Sequence, residues 1–175
     1  MSIRIMRAVC TAGAGVAVIA SGLAGASAAG TVRTAPAGTV ASFSTPGSFN
    51  GVAVLSARSA WAVGSAGGKT LILRWNGTVW RRVPSPTPAG GGILTGVAAT
   101  SATSAWAVGC TGGNTLILRW NGTVWKRVPS PNPSPDHAQC LAGVSAASAS
   151  DAWAVGYTDG GGKTLIVRWN GIAWK

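Results

Sequence analysis

One five-residue segment, Ala-Trp-Ala-Val-Gly, occurs three times in this chain of 175 residues, beginning at Ala60, Ala105 and Ala152. Each copy is followed by a nearly identical Thr-Leu-Ile-x-Arg-Trp-Asn-Gly segment, beginning at Thr70, Thr115 and Thr164. The tryptophans of the first segment are 45 and 47 residues apart. A period of about 40–50 residues, built from short apolar runs and Gly-rich turns, is typical of β-propeller blades.

Each repeat is predicted to form four strands. In the second repeat we expect strands over 94–99, 105–109, 115–120 and 123–128, separated by turn-forming residues. The Pro-rich segment that follows, 129–135, must leave the sheet because proline has no N–H to donate to it. Four strands and an irregular link make one propeller blade. The predicted fold is therefore all-β: a partial β-propeller of three four-stranded antiparallel blades, with the third blade incomplete.

The predicted domain organisation has three parts. They are a secretory signal peptide over 1–28, an extended segment over 29–46, and an incomplete propeller over 47–175 with blades at about 47–92, 93–139 and 140–175. Three blades are fewer than the four to eight of typical propellers. The alternatives are a truncated reading frame, which we expect, a piece of a larger protein, or a subunit that closes its ring by assembly. An uncovered outer blade would present an apolar face that favours self-association.

The N-terminus has the composition of a secretory signal. Arg4 and Arg7 precede an apolar stretch over 8–23, and Ala26-Ser27-Ala28 supplies the small residues of a cleavage site. The formal charge of +11 would become +9 after loss of the two arginines. The basic residues within the repeats recur singly, which favours general attraction to anionic surfaces over a dedicated nucleic-acid site. We expect a secreted, extracellular protein.

The Asn-Gly pair of each repeat has two interpretations. Asn76-Gly77-Thr78 and Asn121-Gly122-Thr123 are N-glycosylation sequons, and Asn-Gly is also the preferred centre of a two-residue type I′ hairpin. The third copy, Asn170-Gly171-Ile172, loses the sequon and keeps the turn, so the hairpin is what the repeats share. A two-residue turn would pair Trp75 with Thr78 and Leu73 with Trp80. It would also bring Arg74 beside aromatic rings of the adjacent blade, where cation–π stacking stabilises by about 0.5–2 kcal/mol.

Two cysteines, Cys110 and Cys140, follow the predicted signal. One ends the second strand of the second blade and the other begins the first strand of the third blade, which places both at the same rim of the ring. The sequence predicts a disulfide between neighbouring blades. The alternative is two separate small core residues.

No catalytic or metal-binding constellation is present in the sequence. The single histidine, His137, lies in a Pro-rich link beside Asp136, and too few ligands accompany it for a metal site. Asp151 stands where the other repeats have serine, so we expect it to cap its turn. Glycoside hydrolysis needs two opposed carboxyl groups, which these residues do not supply. We predict no enzymatic activity, no metal and no cofactor.

The repeat resembles a family of secreted propeller repeats common in actinobacteria. Ala-Trp-Ala-Val-Gly, a Gly-rich turn and Thr-Leu-Ile-x-Arg-Trp-Asn-Gly-x-x-Trp carry the resemblance, which covers about residues 47–175. More distantly the repeat is similar to photosystem-stability and sialidase-type (Asp-box) propellers. Asn76-Gly77 stands where Asp-box proteins have Asp-Gly, and the arginine cluster and acid–tyrosine pair of sialidases are missing. The resemblance therefore implies a fold and does not imply that activity.

The tryptophans occupy the same position in every repeat, which indicates packing between blades rather than ligand contact. The loops that differ between repeats are better candidates for a ligand site, and their candidate residues are Lys69, Asn114, Tyr157, Asp159 and Lys163. The predicted function is a secreted, non-catalytic scaffold or binding module, with an extracellular glycan, a cell-envelope polymer or a protein as partner. The alternative is a fragment of a propeller enzyme, glycosidase or lyase-like, whose catalytic residues lie outside this chain.

Overall fold

The structure is a computed structural model that describes residues 43–175. The predicted signal peptide and most of the extended segment over 29–46 lie outside the described residues. Three antiparallel sheets follow one another along the chain, and in each the strands pair in sequence order. The first contains β1 Ser48–Ser56, β2 Ser59–Ala66, β3 Lys69–Trp75 and β4 Trp80–Arg82. The second contains β5 Ile93–Ser101, β6 Ser104–Thr111, β7 Asn114–Trp120 and β8 Trp125–Val128. The third contains β9 Cys140–Ala146, β10 Ala152–Thr158 and β11 Lys163–Trp169.

These sheets confirm the predicted all-β class and the incomplete third blade. No α-helix lies within residues 43–175, and the one helical element described is a 3₁₀ turn over Asp159–Gly161. At the outer edge of the third blade, Trp174 forms an isolated bridge to Trp169. Lys175 exchanges two backbone hydrogen bonds with Arg168, at 2.8 and 3.0 Å. The third blade thus has the beginning of a fourth strand.

Each blade has two faces because side chains alternate along a strand. In the first blade we define the back face by Trp61, Val63 and Ile72, and the front face by Ala62 and Leu73. The equivalent residues define the two faces of the second and third blades. The back face of the first blade packs on the front face of the second, forming one buried cluster. The back face of the second packs on the front face of the third in the same way. The core therefore lies between blades, where burial of apolar area stabilises the fold.

We call the first strand of each blade, β1, β5 or β9, its inner strand. Glycines let the inner strands of the three blades approach one another. Gly51, Gly96 and Gly143 occupy the same position in β1, β5 and β9. A Cβ atom on Gly51 would lie 3.1 Å from the Cα atom of Gly96, and one on Gly96 would lie 3.1 Å from that of Gly143. Side chains here would push the inner strands apart.

Polar side chains next to these glycines connect the blades. The Asn50 amide donates a hydrogen bond to the Leu94 carbonyl at 2.8 Å, and the Thr95 hydroxyl donates to the Leu141 carbonyl at 2.6 Å. Each bond joins one inner strand to the next blade.

The hairpin between the third and fourth strands differs from the sequence-based prediction. Trp75 pairs with Trp80 and Leu73 with Arg82, so four residues rather than two lie in the turn. The Asn76 side-chain oxygen accepts hydrogen bonds from the backbone N–H groups of Thr78 and Val79, at 3.0 and 2.9 Å. An asparagine side chain that closes its own turn in this way replaces the tight type I′ hairpin. Equivalent bonds to Asn121 and Asn170 occur in the other two repeats.

Candidate functional site

A disulfide joins the second and third blades at the rim, as predicted. Cys110 and Cys140 are bonded, with their Cα atoms 4.8 Å apart. The bridge borders a cleft of about 320 Å³ that Tyr157 and Gln139 also line, together with glycines of the turns between second and third strands. The Gln139 amide is used within the protein, because it donates to the Ser134 carbonyl at 2.8 Å. The cleft is mostly backbone and offers few free polar groups to a ligand.

Two of the predicted rim residues, Asp159 and Lys163, bind each other. The Lys163 ammonium lies 2.6 Å from a carboxylate oxygen of Asp159, and His137 lies 3.8 Å from the other oxygen. Hydrogen bonds from Lys163 and Ser134 lower the pKa of Asp159 to about 2, and the hydrogen bond to Asp159 raises the pKa of Lys163. Asp159 is therefore ionised at neutral pH and is a poor proton donor. The pair fixes the loop and presents little free charge.

The other two predicted loop residues do not join this group. Lys69 begins β3 and is exposed, outside the residues that line the rim cleft. Asn114 begins β7 and borders a different cleft, of about 330 Å³, together with Arg127. The three variable loops nevertheless meet at the rim cleft, through Gly68, Gly112–Gly113 and Tyr157, so it is the side chains of Lys69 and Asn114 that lie outside it.

Asp151 does not cap its turn through its side chain, which corrects the sequence-based expectation. Its carboxylate accepts a hydrogen bond from the Arg168 Nε at 3.0 Å. The Ser148 hydroxyl accepts from the Ser150 N–H in that turn instead. The arginine of the third repeat is thereby held by an acid that the first two repeats lack.

The first two tryptophans of the repeated Ala-Trp-Ala-Val-Gly segment pack between blades, as predicted. Trp61 meets the rings of Trp120 and Trp125 edge-on, with centroids 5.1 and 5.2 Å away. Arg74 lies between Trp61 and Trp120, at 5.1 and 5.8 Å from the two ring centroids. These side chains are committed to the core and are not ligand contacts.

The same arrangement recurs between the second and third blades. Trp106 packs on Trp169 and Trp174, with centroids 5.0 and 5.1 Å away. Arg119 stacks on Trp106 and Trp169, at 5.0 and 5.3 Å. Arginine between two indole rings is the predicted cation–π contact.

The outer strands, β4, β8 and the segment after β11, carry five exposed cations without a carboxylate partner, and Arg58 and Lys69 are two further ones outside these strands. Their basic side chains are all exposed and lie at Arg81, Arg82, Lys126, Arg127 and Lys175. The chain has three carboxylate side chains in total, and none of the ion pairs within residues 43–175 involves these five cations. Basic residues on an edge strand also discourage strand pairing with other chains.

Arg127 borders two clefts beside the Pro-rich link. One is the cleft with Asn114, and the other, of about 350 Å³, is lined by Arg127, Pro129, Ser130 and Asn132. The link is held in place by Thr115, whose hydroxyl donates to the Ser130 hydroxyl at 2.7 Å. A guanidinium between hydroxyl and amide groups can bind a phosphate or carboxylate in two-point geometry.

These cations were not among the site residues predicted from the sequence. The signal was present, because a basic pair follows the tryptophan in the first two outer strands, Arg81-Arg82 after Trp80 and Lys126-Arg127 after Trp125. The arginines of β3, β7 and β11 differ from these pairs because they occur singly. Those arginines are the ones held against tryptophan rings.

Two features often sought in a functional site do not occur in this part of the chain. No group of three or more His, Cys, Asp or Glu side chains that could hold a metal ion occurs within residues 43–175. No helix in the same range is long and apolar enough to cross a membrane.

Four-stranded meanders that pack face to face, with glycine-bearing inner strands beside one another, define a β-propeller. The fold comparison agrees. A solved structure of YCF48 bound to D1 peptide, a β-propeller, is similar to this chain with a TM-score of 0.56 and 16% sequence identity. The similarity covers 75% of this chain and 40% of the YCF48 chain, so this chain spans well under half of that protein's length. No protein-family model matches the chain, and no curated protein matches it in sequence.

Proposed function

We propose that this chain is a secreted, non-catalytic β-propeller module, of the actinobacterial repeat type, that binds an anionic cell-envelope polymer through its outer strands. The observation that carries the proposal is the row of exposed, unpaired cations on β4, β8 and the segment after β11. Exposed charges without counter-charges attract a polyanion over about 10 Å at 0.1 M salt. A polymer with regularly spaced phosphates or carboxylates matches cations that repeat from blade to blade.

The most defined position on this surface is Arg127, because it borders two clefts, although the Ser130 hydroxyl and the Asn132 side-chain oxygen beside it are already hydrogen-bonded to Thr115. Two-point hydrogen bonding by the Arg127 guanidinium suits the phosphate or carboxylate groups of an anionic sugar or polyol phosphate polymer. The disulfide supports an extracellular location, since such bonds persist in oxidising compartments.

A protein ligand is the second candidate. YCF48, which shares the fold, has been solved with a peptide bound, so a propeller of this kind accommodates one. An enzyme fragment has no specific support among the described residues.

The test measures retention of the purified chain on insoluble cell walls that retain their phosphate-rich polymers, and on the same walls after those polymers are removed. We expect retention on the first material, loss on the second, and steep weakening between 50 and 500 mM salt, a range of about tenfold in ionic strength. Equal retention on both materials would overturn the proposal, and salt-independent capture of a protein would favour the peptide reading.

A matched pair of variants separates a built surface from general charge. Arg82→Gln with Arg127→Gln removes two outer-strand cations, whereas Arg58→Gln removes an exposed cation from the turn between β1 and β2. The double variant should weaken binding by about tenfold or more, because charge-assisted hydrogen bonds contribute about 1.5–3 kcal/mol in favourable cases. Arg58→Gln should change it by less than about twofold, as expected for a screened surface charge. Equal effects per charge removed would mean that no specific surface exists.

A further inference from the structure

The back face of the third blade repeats the back faces that are buried in the other two. Identical residues occupy the four equivalent positions in every blade: Trp61, Val63, Ile72 and Arg74; Trp106, Val108, Ile117 and Arg119; Trp153, Val155, Ile166 and Arg168. In the first two blades the tryptophan, valine and isoleucine are at most 1% exposed. In the third blade Trp153, Val155 and Ile166 are 47%, 48% and 63% exposed. The same apolar surface is thus present a third time without a covering blade among the described residues.

The front face of the first blade is the matching surface. Val52 and Val54 of β1 are 65% and 71% exposed there, whereas Val97, at the position of Val52 in the second blade, is 8% exposed. A cavity of about 420 Å³ lies on this face, and its lining includes Phe43, Phe49, Val52, Leu73 and Trp80.

We call the two tryptophan rings that receive a tryptophan of the preceding blade an aromatic slot. The slot on the front face of the first blade has the geometry of the filled slots in the second and third blades. Where a tryptophan from the preceding blade sits against the pair, Trp120 and Trp125 are 5.8 Å apart at 45°, and Trp169 and Trp174 are 6.1 Å apart at 46°. The equivalent pair of the first blade, Trp75 and Trp80, is 5.7 Å apart at 46°.

The side chain that would fill this slot is Trp153, and it contacts an arginine of its own blade as Trp61 and Trp106 do. Arg168 lies 5.2 Å from the Trp153 ring centroid, as Arg74 and Arg119 lie 5.1 and 5.0 Å from the rings of Trp61 and Trp106. In the third blade Asp151 also holds Arg168 through a hydrogen bond of 3.0 Å. Both halves of the contact are ordered before they meet, which lowers the entropic cost of association.

We propose that the back face of the third blade docks on the front face of the first blade of a second copy of this chain. Within one chain this pair of faces already packs together twice, so a second copy offers a surface of demonstrated fit. The contact is head-to-tail, and such contacts build closed rings or open filaments. The described residues of two chains supply six blades, a number within the usual range of four to eight, and two equivalent contacts join them into a ring.

One difference between the contacts limits their strength. Asn50 and Thr95 connect the blades inside the chain through hydrogen bonds to the next blade. Ala142 occupies this position in the third blade and has no donor group in its side chain. The pair of chains therefore separates on dilution, whereas the blades within a chain stay together.

The test uses the full chain in sedimentation velocity and multi-angle light scattering across a concentration series. We expect the mass of two chains at high concentration and of one chain on dilution. Trp153→Glu on the back face, or Val54→Glu on the front face, should raise the dissociation constant by about 30-fold or more, the effect of losing a central tryptophan anchor or its slot. Ile172→Glu, which changes an 85% exposed side chain in a turn off both faces, should leave the mass unchanged.

Mixing the two variants tests whether the contact is head-to-tail. Each variant alone lacks one face of every contact and should stay monomeric. The mixture keeps one intact contact, between the back face of the Val54→Glu chain and the front face of the Trp153→Glu chain, and should form pairs. The proposal is overturned by a single-chain mass at every concentration, by a ladder of masses beyond two chains, or by association that survives both substitutions. Pairing of the Val54→Glu chain with itself would equally overturn it, since that result means like faces meet. These outcomes do not depend on polymer binding, so this proposal and the proposed function can fail separately.

Discussion

The disulfide between the second and third blades should contribute a measurable part of the stability of the protein. The perturbation is the double variant Cys110→Ala with Cys140→Ala, which removes the bridge without leaving an unpaired thiol. The two cysteines are 30 residues apart in sequence. Closing a loop of that length removes unfolded-state entropy equivalent to about 3–4 kcal/mol at 25 °C.

Urea unfolding followed by tryptophan fluorescence measures this effect, since Trp106 and Trp169 report on the blade interface that the bridge spans. With a denaturant slope of about 2 kcal/mol per molar urea, the midpoint should fall by about 1.5–2 M. The unfolding curve should also lose its sensitivity to a thiol reductant.

A control separates the bridge from the side chains that are replaced. Reduction of the unsubstituted protein should lower its midpoint by nearly as much as the double substitution does, and the reductant should not affect the double variant. If the urea midpoints of the unsubstituted protein and the double variant agree within about 0.3 M, the loop-closure contribution is absent. A reductant effect on the double variant would also contradict the prediction.

Three further predictions concern the core, a glycine and the rim. Arg119→Met should cost about 1–2 kcal/mol in unfolding free energy because the guanidinium stacks on two rings. Arg168→Met should cost less when it is made in an Asp151→Ala background, where only the contact with one ring is lost, and equal losses in urea titrations would contradict this. Gly109→Ala should destabilise the protein by about 2 kcal/mol or more, because its Cβ would collide with the Ile93 carbonyl oxygen on the neighbouring strand. Gly162 has helical dihedral angles, and a Cβ there would lie 3.4 Å from the nearest atom, so Gly162→Ala should be nearly neutral in thermal melts. Because the pKa of Asp159 is lowered to about 2 from 3.8, its contribution is complete above pH 3.8 and is lost as the pH falls toward 2. The difference in melting temperature between the protein and Asp159→Asn should therefore vanish over that window, and a difference constant from pH 5 to pH 2 would exclude the ion pair as its source.

Much of the fold could be predicted from the repeats because a propeller is built from local units. The spacing of the tryptophans gave the blades, the alternation of residues gave the faces, and the prolines gave the links between sheets. The strand order followed as well, since consecutive strands joined by short turns pair as neighbours. The cysteine pairing was predictable for the same reason, because the position of each cysteine within its blade defines which rim it occupies.

The candidate site was harder to predict because it depends on side-chain partners. Asp159 and Lys163 were expected to face a ligand, and the structure adds what the sequence did not show, that they lie four residues apart across a 3₁₀ turn and bind each other. Asp151 was expected to cap a turn, but the cross-strand position of Arg168 gives its carboxylate a stronger, charged donor. The hairpin between the third and fourth strands has four residues in its turn rather than the predicted two. The asparagine side chain replaces a backbone hydrogen bond there, which composition alone does not reveal.

The repeats are enough to show three similar blades, each with a tryptophan, an arginine and a glycine at fixed positions. The environment of those positions depends on how the blades pack together. Trp106 and Trp153 occupy identical local sequences, yet the first is 1% exposed and the second 47%. Burial is a property of the neighbouring blade rather than of the strand that carries the residue, so one repeated segment gives a buried core in one place and an exposed face in another.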